Sequence, residues 1–444
     1  MGVSRHDTIA AIATAPGRAG IGVVRISGKS LGAFGRDIAG KTLPPRVASL
    51  ARFTDGTGNV IDKGLAIYFP GTASYTGEDV LELQGHGGPV VLNRLLQRCL
   101  ELGARVAGPG EFTQRAYLNG KMDLAQAEGV ADLIDAATEQ AARCALRSMD
   151  GHYSEQIHGV DNAILELRAL TEATLDFPEE EIDVPTRQDQ RARLDAIVTQ
   201  LERLLAASGQ GSLLREGALV VLAGQPNVGK SSLLNRLAGE EIAIVTEIPG
   251  TTRDAVRQTI NLGGIPLHIV DTAGLRESSD PVERIGISRT WSAIEKADLV
   301  LLVMDATKGQ AAEDRDILNR LPARLRCLRV FNKADLARQP ASRDGSDITL
   351  SAKTGEGVEL LRSALAETIG WQGETEGAFM ARERHLQAMR KALSGLGRAA
   401  GVISRQELFA EELRSAHEAL MSITGQRTAD DVLGEIFSRF CIGK

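Results

Sequence analysis

Residues 224–231 form a segment whose residue types and spacing suit phosphate binding. They read Gly-Gln-Pro-Asn-Val-Gly-Lys-Ser, the pattern G-x-x-x-x-G-K-[S/T], between the apolar run Ala218–Ala223 and an amphipathic stretch from Ser232. The two glycines allow a tight turn whose backbone N–H groups can surround phosphate oxygens. We expect Lys230 to reach the β- and γ-phosphates and the Ser231 hydroxyl to ligate Mg²⁺. The segment therefore predicts a nucleoside triphosphate site.

A second motif predicts the base. Residues 332–335 read Asn-Lys-Ala-Asp, and the Asp335 carboxylate can accept hydrogen bonds from guanine N1–H and the exocyclic amine, which adenine does not offer. We expect Asn332 to hold the loop and face N7, and the Lys333 stem to pack on the ring. The segment Ser351–Lys353 fits the loop whose backbone N–H contacts guanine O6. A polar site that pairs with guanine leaves unpaired groups against adenine, so the predicted nucleotide is GTP.

Two further segments are predicted to sense the γ-phosphate. The stretch 246–254 offers threonine hydroxyls and backbone N–H groups, with Thr252 as the expected Mg²⁺ ligand. Asp271 is expected to hold a Mg²⁺-bound water, and the Gly274 N–H to meet the γ-phosphate. The next residue is Leu275, where Ras-like enzymes carry the glutamine that orients the attacking water. Either GTP is hydrolysed very poorly, or another group positions water and supplies positive charge.

Taken together, the motifs resemble those of the bacterial tRNA-modification GTPase family called MnmE or TrmE. In the GTPase part, the resemblance rests on Asn227 and on residues 250–254, 271–276 and 282–286. Elsewhere it rests on residues 16–18, 77–88, 109–112, 118–128 and the terminal Phe-Cys-Ile-Gly-Lys at 440–444. It therefore spans essentially the whole chain.

The pattern along the chain predicts a multidomain α/β and α protein. Strand-like runs broken by Gly and Pro extend to about residue 118, and Ala-, Leu- and Glu-rich helical spacing follows from about 121 to 210. From 212 to about 370 strands and helices alternate, as in a doubly wound domain, and helical composition returns after Trp371. Two separate helical domains would also fit. The resemblance favours one discontinuous helical domain with a Ras-like P-loop GTPase domain inserted into it.

The resemblance implies four segments. The first segment, 1–118, is an α+β folate-binding-like and dimerisation domain, and 119–211 is the first half of the helical domain. The GTPase domain occupies 212–372, and the second helical half with the Cys-Ile-Gly-Lys tail occupies 373–444.

Global composition limits the class of protein. The length of 444 residues suggests about three domains, and there is neither an apolar run of about 18 residues nor a signal-like start, so a cytoplasmic protein without membrane association is expected. Four scattered cysteines without a C-x-x-C pair argue against a zinc site or a disulfide framework. The net charge of −7 gives no overall basic surface, so if tRNA is the substrate, a partner is expected to carry much of the phosphate binding.

For the N-terminal domain, the resemblance implies a site for 5-formyl-tetrahydrofolate or a related folate. Arg25, Glu82 and Lys121 stand at the matching positions, with Arg25 and Lys121 suited to carboxylates and Glu82 to pterin N–H groups. Plain surface charge is the alternative. The segment 85–88, Gly-His-Gly-Gly, could be a metal or phosphate loop, although a turn is the more common use of such residues.

The C-terminal tail raises a separate question. The resemblance implies that it returns to the folate region with Lys444 near the ligand. Cys441 does not fit a prenylation box, and a nucleophilic role for this thiol stays open.

The resemblance also implies the reaction and its partners. A homodimer of this chain would form a heterotetramer with the FAD-dependent protein MnmG. Together they would add an aminomethyl or carboxymethylaminomethyl group to C5 of the wobble uridine, position 34, of certain tRNAs. The carbon would come from the folate, and FAD would enter only through MnmG. A ribosome-assembly GTPase switch is the alternative, but it calls for a basic RNA-binding appendage, and none is evident after residue 370.

Hydrolysis is predicted to depend on K⁺. Glu283 matches the family's catalytic glutamate, and K⁺ is expected to be held by Asn227, Thr246, Ile248 and Thr251. The complete predicted GTP-binding set is Asn227, Val228, Gly229, Lys230, Ser231, Ser232, Thr246, Glu247, Ile248, Pro249, Gly250, Thr251, Thr252, Asp271, Thr272, Ala273, Gly274, Asn332, Lys333, Asp335, Ser351, Ala352 and Lys353.

Overall fold

A computed structural model describes residues 7–176, 186–239, 257–271, 291–373, 377–425, 430–438 and 440–443. The chain divides into two compact units, one of Met1–Ala131 with Met421–Lys444 and one of Asp132–Leu420. The predicted residues Thr246–Thr252, Thr272–Gly274, Glu283 and Lys444 lie outside the described residues. The four predicted domain segments stay a prediction.

The first unit is built around a six-stranded sheet. Its strands, in the spatial order β3-β4-β5-β2-β1-β6, are β1 (Ile9–Ile12), β2 (Ala19–Gly28), β3 (Ser49–Thr54), β4 (Val60–Phe69), β5 (Asp79–Gly87) and β6 (Arg105–Val106). All neighbours are antiparallel except β1 and β6. The helices are α1 (Gly32–Ala39), α2 (Pro89–Glu101), α3 (Glu111–Leu118) and α4 (Leu124–Asp135), the last of which continues into the second unit.

One face of this sheet forms the core of the first unit. Val24, Ile26, Leu81 and Leu83 are completely buried and pack in one cluster with residues of α1 and α2. Residues that alternate with them, such as Arg25 and Glu82, therefore face the other side of the sheet. The expected α+β character of the N-terminal part is confirmed.

The helical part of the second unit consists of helices of 11 to 30 residues. They are α5 (Glu139–Met149), α6 (His152–Asp176), α7 (Arg187–Glu216), α12 (Glu383–Val402) and α13 (Gln406–Thr424), and a further helix, α14 (Asp430–Ser438), belongs to the first unit. Helix α7 begins at a capping box in which the Thr186 hydroxyl accepts from the Asp189 N–H. It ends at Gly217, whose φ of +68° suits glycine. None of the helices within the described ranges is both long and apolar enough to cross a lipid bilayer.

The rest of the second unit is a doubly wound α/β layer, as predicted. Its seven strands, in the order β12-β13-β11-β10-β7-β9-β8, are β7 (Ala218–Ala223), β8 (Arg257–Leu262), β9 (Ile265–Asp271), β10 (Leu299–Asp305), β11 (Arg326–Asn332), β12 (Ser342–Asp344) and β13 (Asp347–Thr349). The associated helices are α8 (Lys230–Ala238), α9 (Ala312–Arg320), α10 (Ala334–Ala337) and α11 (Val358–Ile369).

This sheet positions the nucleotide motifs. The strands β13, β11, β10, β7 and β9 are parallel, while β8 and β12 are antiparallel edges. The central strand β10 is apolar and buried from Leu299 to Met304, because hydrophobic clusters cover both faces of the sheet. Parallel strands bring their carboxyl ends to one edge, so the motifs that follow β7 and β11 meet there, where β9 also ends at Asp271.

Candidate nucleotide site and candidate folate site

The phosphate-binding loop leaves β7 in a backbone conformation that depends on glycine. Gly224 has φ +139°, and a Cβ there would collide with the Val303 carbonyl oxygen of β10. Gly229 has φ +94°, and a Cβ there would collide with the side-chain amide of Asn332. The loop therefore lies tightly against two neighbouring strands of the sheet, as the motif predicts.

Lys230 is the first residue of α8, and its side chain folds back over the loop. The Lys230 Nζ donates to the carbonyl oxygens of Gly224 and Gln225 at 2.9 and 3.0 Å. Ser231 and Ser232 are exposed in the first turn of the helix, where backbone N–H groups have no partner within the helix. A lysine ammonium group and the N-terminal N–H groups of a helix together make a suitable anion site.

Asn332 joins the phosphate-binding loop to the predicted guanine loop. Its Nδ2 donates to the Val228 carbonyl at 2.8 Å, and its Oδ1 accepts from the Ala352 N–H at 2.9 Å. The side chain is almost completely buried, with 3% of the residue exposed. A buried amide that uses both ends fixes the two loops relative to each other.

Asp335 is held by the same loop. Its Oδ1 accepts from the Ser351 hydroxyl at 2.7 Å, and Ser351 is itself buried and accepts from the Thr354 N–H at 3.2 Å. These contacts orient the carboxylate that is predicted to read guanine. The structure thus brings Asn332, Asp335, Ser351 and Ala352 together at the edge of the sheet that carries the phosphate-binding loop.

Two residues that the sequence motifs did not single out support this site. Asp305, at the end of β10, accepts from Lys333 Nζ at 2.7 Å and from the Thr307 hydroxyl and N–H. Burial alone would raise the pKa of Asp305, but these hydrogen bonds prevail and lower it to about 2. Arg236 of α8 donates to the carbonyl oxygens of Ala352 and Lys353 at 3.1 and 2.7 Å.

Other predicted residues are placed only in part. The Asp271 backbone ends β9 and pairs with Leu222, two residues before the phosphate-binding loop. Asn227 is exposed in that loop with a left-handed φ of +63°, which asparagine tolerates better than most residues. The two γ-phosphate segments, Glu283 and the remaining K⁺ ligands lie outside the described residues.

Arg25 and Glu82, both predicted folate residues, form an ion pair with each other. They are partners across β2 and β5, and Arg25 Nε and Nη2 lie 3.0 and 2.9 Å from Glu82 Oε1. The Arg25 guanidinium carbon also lies 5.7 Å from the centre of the Tyr75 ring and 6.0 Å from that of Phe112. The guanidinium is therefore held by an anion and two aromatic rings.

Lys121 contacts the loop between β4 and β5, which contains Thr72 and Tyr75. Its Nζ donates to the Thr72 carbonyl at 2.7 Å, and the loop continues to Tyr75, whose hydroxyl bonds the Thr113 hydroxyl at 2.8 Å. The loop thus links Lys121 to the aromatic contact of Arg25.

The C-terminal tail runs beside this region. Gly110 N–H donates to the Cys441 carbonyl at 3.2 Å, and Ile442 forms a bridge with Pro109. Gly443 lies against Ile12 at the end of β1, the strand that pairs with β2 beside Arg25. Cys441 is an exposed free thiol.

The segment with His86 is the end of a strand. His86 belongs to β5, its Nδ1 lies 2.8 Å from Asp62 Oδ1, and its N–H donates to Asp62 Oδ2 at 2.7 Å. No group of three or more potential metal ligands occurs in the part of the chain that the structure describes. These contacts favour a structural role over a metal or phosphate loop.

Comparisons with known proteins match the whole chain. The family model described as the MnmE helical domain matches residues 124–441, and that of the GTP-binding protein TrmE N-terminus matches residues 8–121. The curated protein "tRNA modification GTPase MnmE" from Nitrosomonas europaea is 61% identical over 451 residues, covering 100% of each chain. That from Nitrosomonas eutropha is 59% identical, again over 100% of each chain.

A solved structure gives a more distant match. The G domain of the T. maritima FeoB iron transporter is 27% identical and covers 34% of this chain and 98% of that chain. Its TM-score of 0.27 is too low to support a structural argument. The family match, in contrast, extends over far more than half of the chain and includes both ends, and on that basis the chain belongs to the MnmE (TrmE) family of tRNA modification GTPases.

Proposed function

We propose that this protein hydrolyses GTP and uses the cycle to support the modification of tRNA. The observation that carries the proposal is the double hydrogen bond of Asn332, which fixes the phosphate-binding loop and the guanine loop as one site. Family membership supports the tRNA substrate, because relatives that match over 100% of their length are named tRNA modification GTPases.

We further propose the chemistry of the modification. Together with the FAD-dependent protein MnmG, the enzyme would install an aminomethyl or carboxymethylaminomethyl group at C5 of the wobble uridine. A homodimer in the cytoplasm, forming a heterotetramer with MnmG, is the proposed assembly. The net charge of −7 supports a division of labour in which the partner provides much of the tRNA phosphate binding.

The described residues suit Mg²⁺ and K⁺ as companions of GTP. Ser231 presents an exposed hydroxyl in the first turn of α8, next to Lys230, and hydroxyl oxygen is a ligand that Mg²⁺ accepts. Asn227 presents an exposed amide in the same loop, and its carbonyl oxygen is a suitable K⁺ ligand. When bound, the cations would neutralise charge on the phosphates.

A folate is the proposed one-carbon donor, held in the first unit. Arg25, Glu82 and Lys121 supply the charged groups that carboxylates and a pterin require, and the half-buried Tyr75 adds apolar ring surface beside them. Because Arg25 and Glu82 already pair, we propose that Arg25 orients Glu82 toward the ligand. Lys444 is proposed to approach the same site, since Gly443 lies at the end of β1.

Two measurements test the proposal. Purified protein should hydrolyse GTP and leave ATP intact, which tests the nucleotide site. Total tRNA from a deletion strain should lack the modified wobble uridine, and the wild-type gene should restore it. A deletion strain with fully modified wobble uridines would contradict the proposed reaction, and altered ribosomal particles with normal tRNA would favour the ribosome-assembly alternative.

A further inference from the structure

The hairpin of β8 and β9 lies between two stretches of the chain, residues 240–256 and 272–290. β8 begins at Arg257, directly after residues 240–256, and β9 ends at Asp271, directly before residues 272–290. These flanking stretches contain the two segments predicted to sense the γ-phosphate. Anything that positions the hairpin therefore acts on the end of the first stretch, at Arg257, and on the start of the second, at Asp271.

The tip of this hairpin is fastened to the N-terminus of α5. The Thr138 hydroxyl donates to the Gly264 carbonyl at 2.7 Å and accepts from the Ala141 N–H at 3.1 Å. Thr138 is therefore both the N-cap of α5 and a bond to the hairpin, and it is buried at 7% exposure. The Gly264 N–H in turn donates to Asn261 Oδ1 at 2.8 Å, which fixes the shape of the turn.

The fit around Gly264 is close. Its φ is +100°, and a Cβ there would come within 2.8 Å of the Gln140 side chain on α5. The neighbouring Gly263 also has a positive φ, +56°, but a Cβ there would meet nothing within 4 Å. The hairpin tip thus touches α5 through Gly264, and Gly263 provides a matched position that points to open space.

Helix α5 and the hairpin also share one apolar core. The small side chains of Ala141, Cys144 and Ala145 on α5 are at most 1% exposed and belong to one buried cluster with both hairpin strands. The hairpin members of that cluster are Ile260, Leu262, Ile265, Leu267 and Ile269. Helix α5 and the two hairpin strands therefore contribute to the same close-packed hydrophobic core.

The opposite end of α5 is anchored as well. Arg147 Nη2 donates to the Ala378 carbonyl at 2.8 Å, and the Ser148 hydroxyl accepts from the Met380 N–H at 3.1 Å. Residues 378–380 lead from the sheet domain to α12. Helix α5 is thus fixed at both ends and can resist displacement of the hairpin.

We propose that Thr138 is a positioning residue for GTP hydrolysis: it latches the β8–β9 hairpin to α5 and thereby fixes the two points, Arg257 and Asp271, at which the hairpin joins the stretches with the γ-phosphate segments. The inference rests on the proposed GTP hydrolysis. Thr138 lies outside the nucleotide motifs. Its loss should lower turnover and leave nucleotide affinity unchanged, because the phosphate-binding and guanine loops do not depend on the hydrogen bond between Thr138 and Gly264.

Variants at both partners test the latch, which is the hydrogen bond between Thr138 and Gly264. Thr138→Val removes the hydroxyl at similar size, and Gly264→Ala pushes the tip away from Gln140 without touching Thr138. Both should lower kcat for GTP by about fivefold, the effect of one lost hydrogen bond, with the Kd for GDP unchanged. Thr138→Ser keeps the hydroxyl and should retain wild-type kcat. Gly263→Ala adds the same methyl at another positive φ but in open space, so it controls for backbone strain and should retain kcat as well.

Two further measurements separate this role from general destabilisation. Thr186→Val removes an equivalent capping hydroxyl from α7, where the bond stays within its own capping box, and should leave kcat unchanged. Amide exchange in residues 257–271 should accelerate in Thr138→Val and Gly264→Ala but not in their controls. If Thr138→Val does not fold, Gly264→Ala against Gly263→Ala decides the matter.

Several outcomes would overturn the inference. Faster exchange in the hairpin with wild-type kcat would show that the latch exists without serving hydrolysis. A parallel loss of GDP affinity would show general damage to the domain. A wild-type protein that does not hydrolyse GTP contradicts the proposed function, which is a different result from a hydrolysing protein with an insensitive latch.

Discussion

Lys333 and Asp305 form an ion pair with 2.7 Å between Nζ and Oδ2, although 28 residues separate them in the sequence. Lys333 has a left-handed φ of +68° directly before α10, and its side chain points back to the end of β10. The lysine stem is thereby drawn across the carboxyl end of β10 and β11, which is where the guanine base is predicted to lie. Asp305 is thus a support for the base site that the motif itself does not reveal.

This pair predicts a defined pH dependence of stability. The pKa of Asp305 is lowered to about 2 in the folded protein, from 3.8. A lowered pKa means that the carboxylate stabilises the fold above pH 3.8 and that this contribution disappears as the pH falls through about 2. Asp305→Asn should therefore be less stable than wild type near pH 6, and the difference should shrink in acid. Chemical denaturation at several pH values measures it, and a constant difference would contradict the assignment.

Asp335 is predicted to determine base selectivity. Replacing Asp335 with Asn exchanges an acceptor for a donor, which suits the C2 carbonyl of xanthine instead of the amine of guanine. GTP affinity should fall by roughly tenfold to a hundredfold, the range expected for loss of a hydrogen bond to a charged group, while XTP affinity rises. Titration with both nucleotides gives the answer. Unchanged GTP affinity in this variant would place the base elsewhere.

Asn332 is predicted to stabilise the fold as well as the site. Asn332→Ala leaves the Val228 carbonyl and the Ala352 N–H without their partner in a buried position, and should cost about 2 kcal/mol of unfolding free energy. Asn235→Ala on the exposed side of α8 is the control and should change stability by less than about 0.5 kcal/mol. Equal stability of both variants would mean that the amide bridge is not formed in solution.

The sequence predicted the parts of the site that are local in the chain. The phosphate-binding loop was accessible because Gly224, Gly229 and Lys230 lie within one strand–loop–helix unit. The doubly wound sheet was accessible because β10 is an uninterrupted apolar run, as buried parallel strands require.

The sequence could not predict the hydrogen bonds to the site that come from residues far away in the chain. Arg236 contacts Ala352 over a separation of 116 residues, and Thr138 contacts Gly264 over 126. An arginine or threonine at a helix surface or start gives no signal of such a partner, because the same residue types are also common in solvent. The Arg25–Glu82 pair shows the same limit: both were singled out as ligand contacts, and only the register of β2 against β5 shows that they contact each other.

The folate proposal predicts separable losses. Alanine variants of Arg25, Glu82 and Lys121 should lose tetrahydrofolate binding in calorimetry, whereas GTP hydrolysis should persist, because the nucleotide residues belong to the other compact unit. Arg25→Lys keeps the charge but cannot bind Glu82 through both Nε and Nη2, so it should also bind folate more weakly. Lys41→Ala, at an exposed position, is the control. Full folate binding in all three alanine variants would move the site elsewhere.

The proposed homodimer is tested with the same protein. Light scattering at micromolar concentration should give twice the mass of the 47.4 kDa chain. A monomer under these conditions would contradict assembly through the first unit.

Hydrolysis is predicted to depend on K⁺, because this chain lacks the usual means of positioning water. Leu275 has no polar side-chain atom, so another group must orient the attacking water, and Glu283 is proposed to do so through a bridging water, since a carboxylate in direct contact with phosphate would be repelled. The positive charge that an arginine would supply elsewhere is assigned to K⁺ beside the α- and γ-phosphates, with the Asn227 carbonyl as one ligand and backbone oxygens of 246–251 as others. Fixed positive charge of this kind lowers the barrier by several kcal/mol.

Turnover should therefore be far higher in KCl than in NaCl at equal ionic strength, and Asn227→Ala should lose that difference while Asn235→Ala keeps it. Glu283→Ala should lose turnover in both salts yet still bind GTP. Equal rates in the two salts would refute the cation role, and wild-type turnover in Glu283→Ala would separately refute the role of the glutamate.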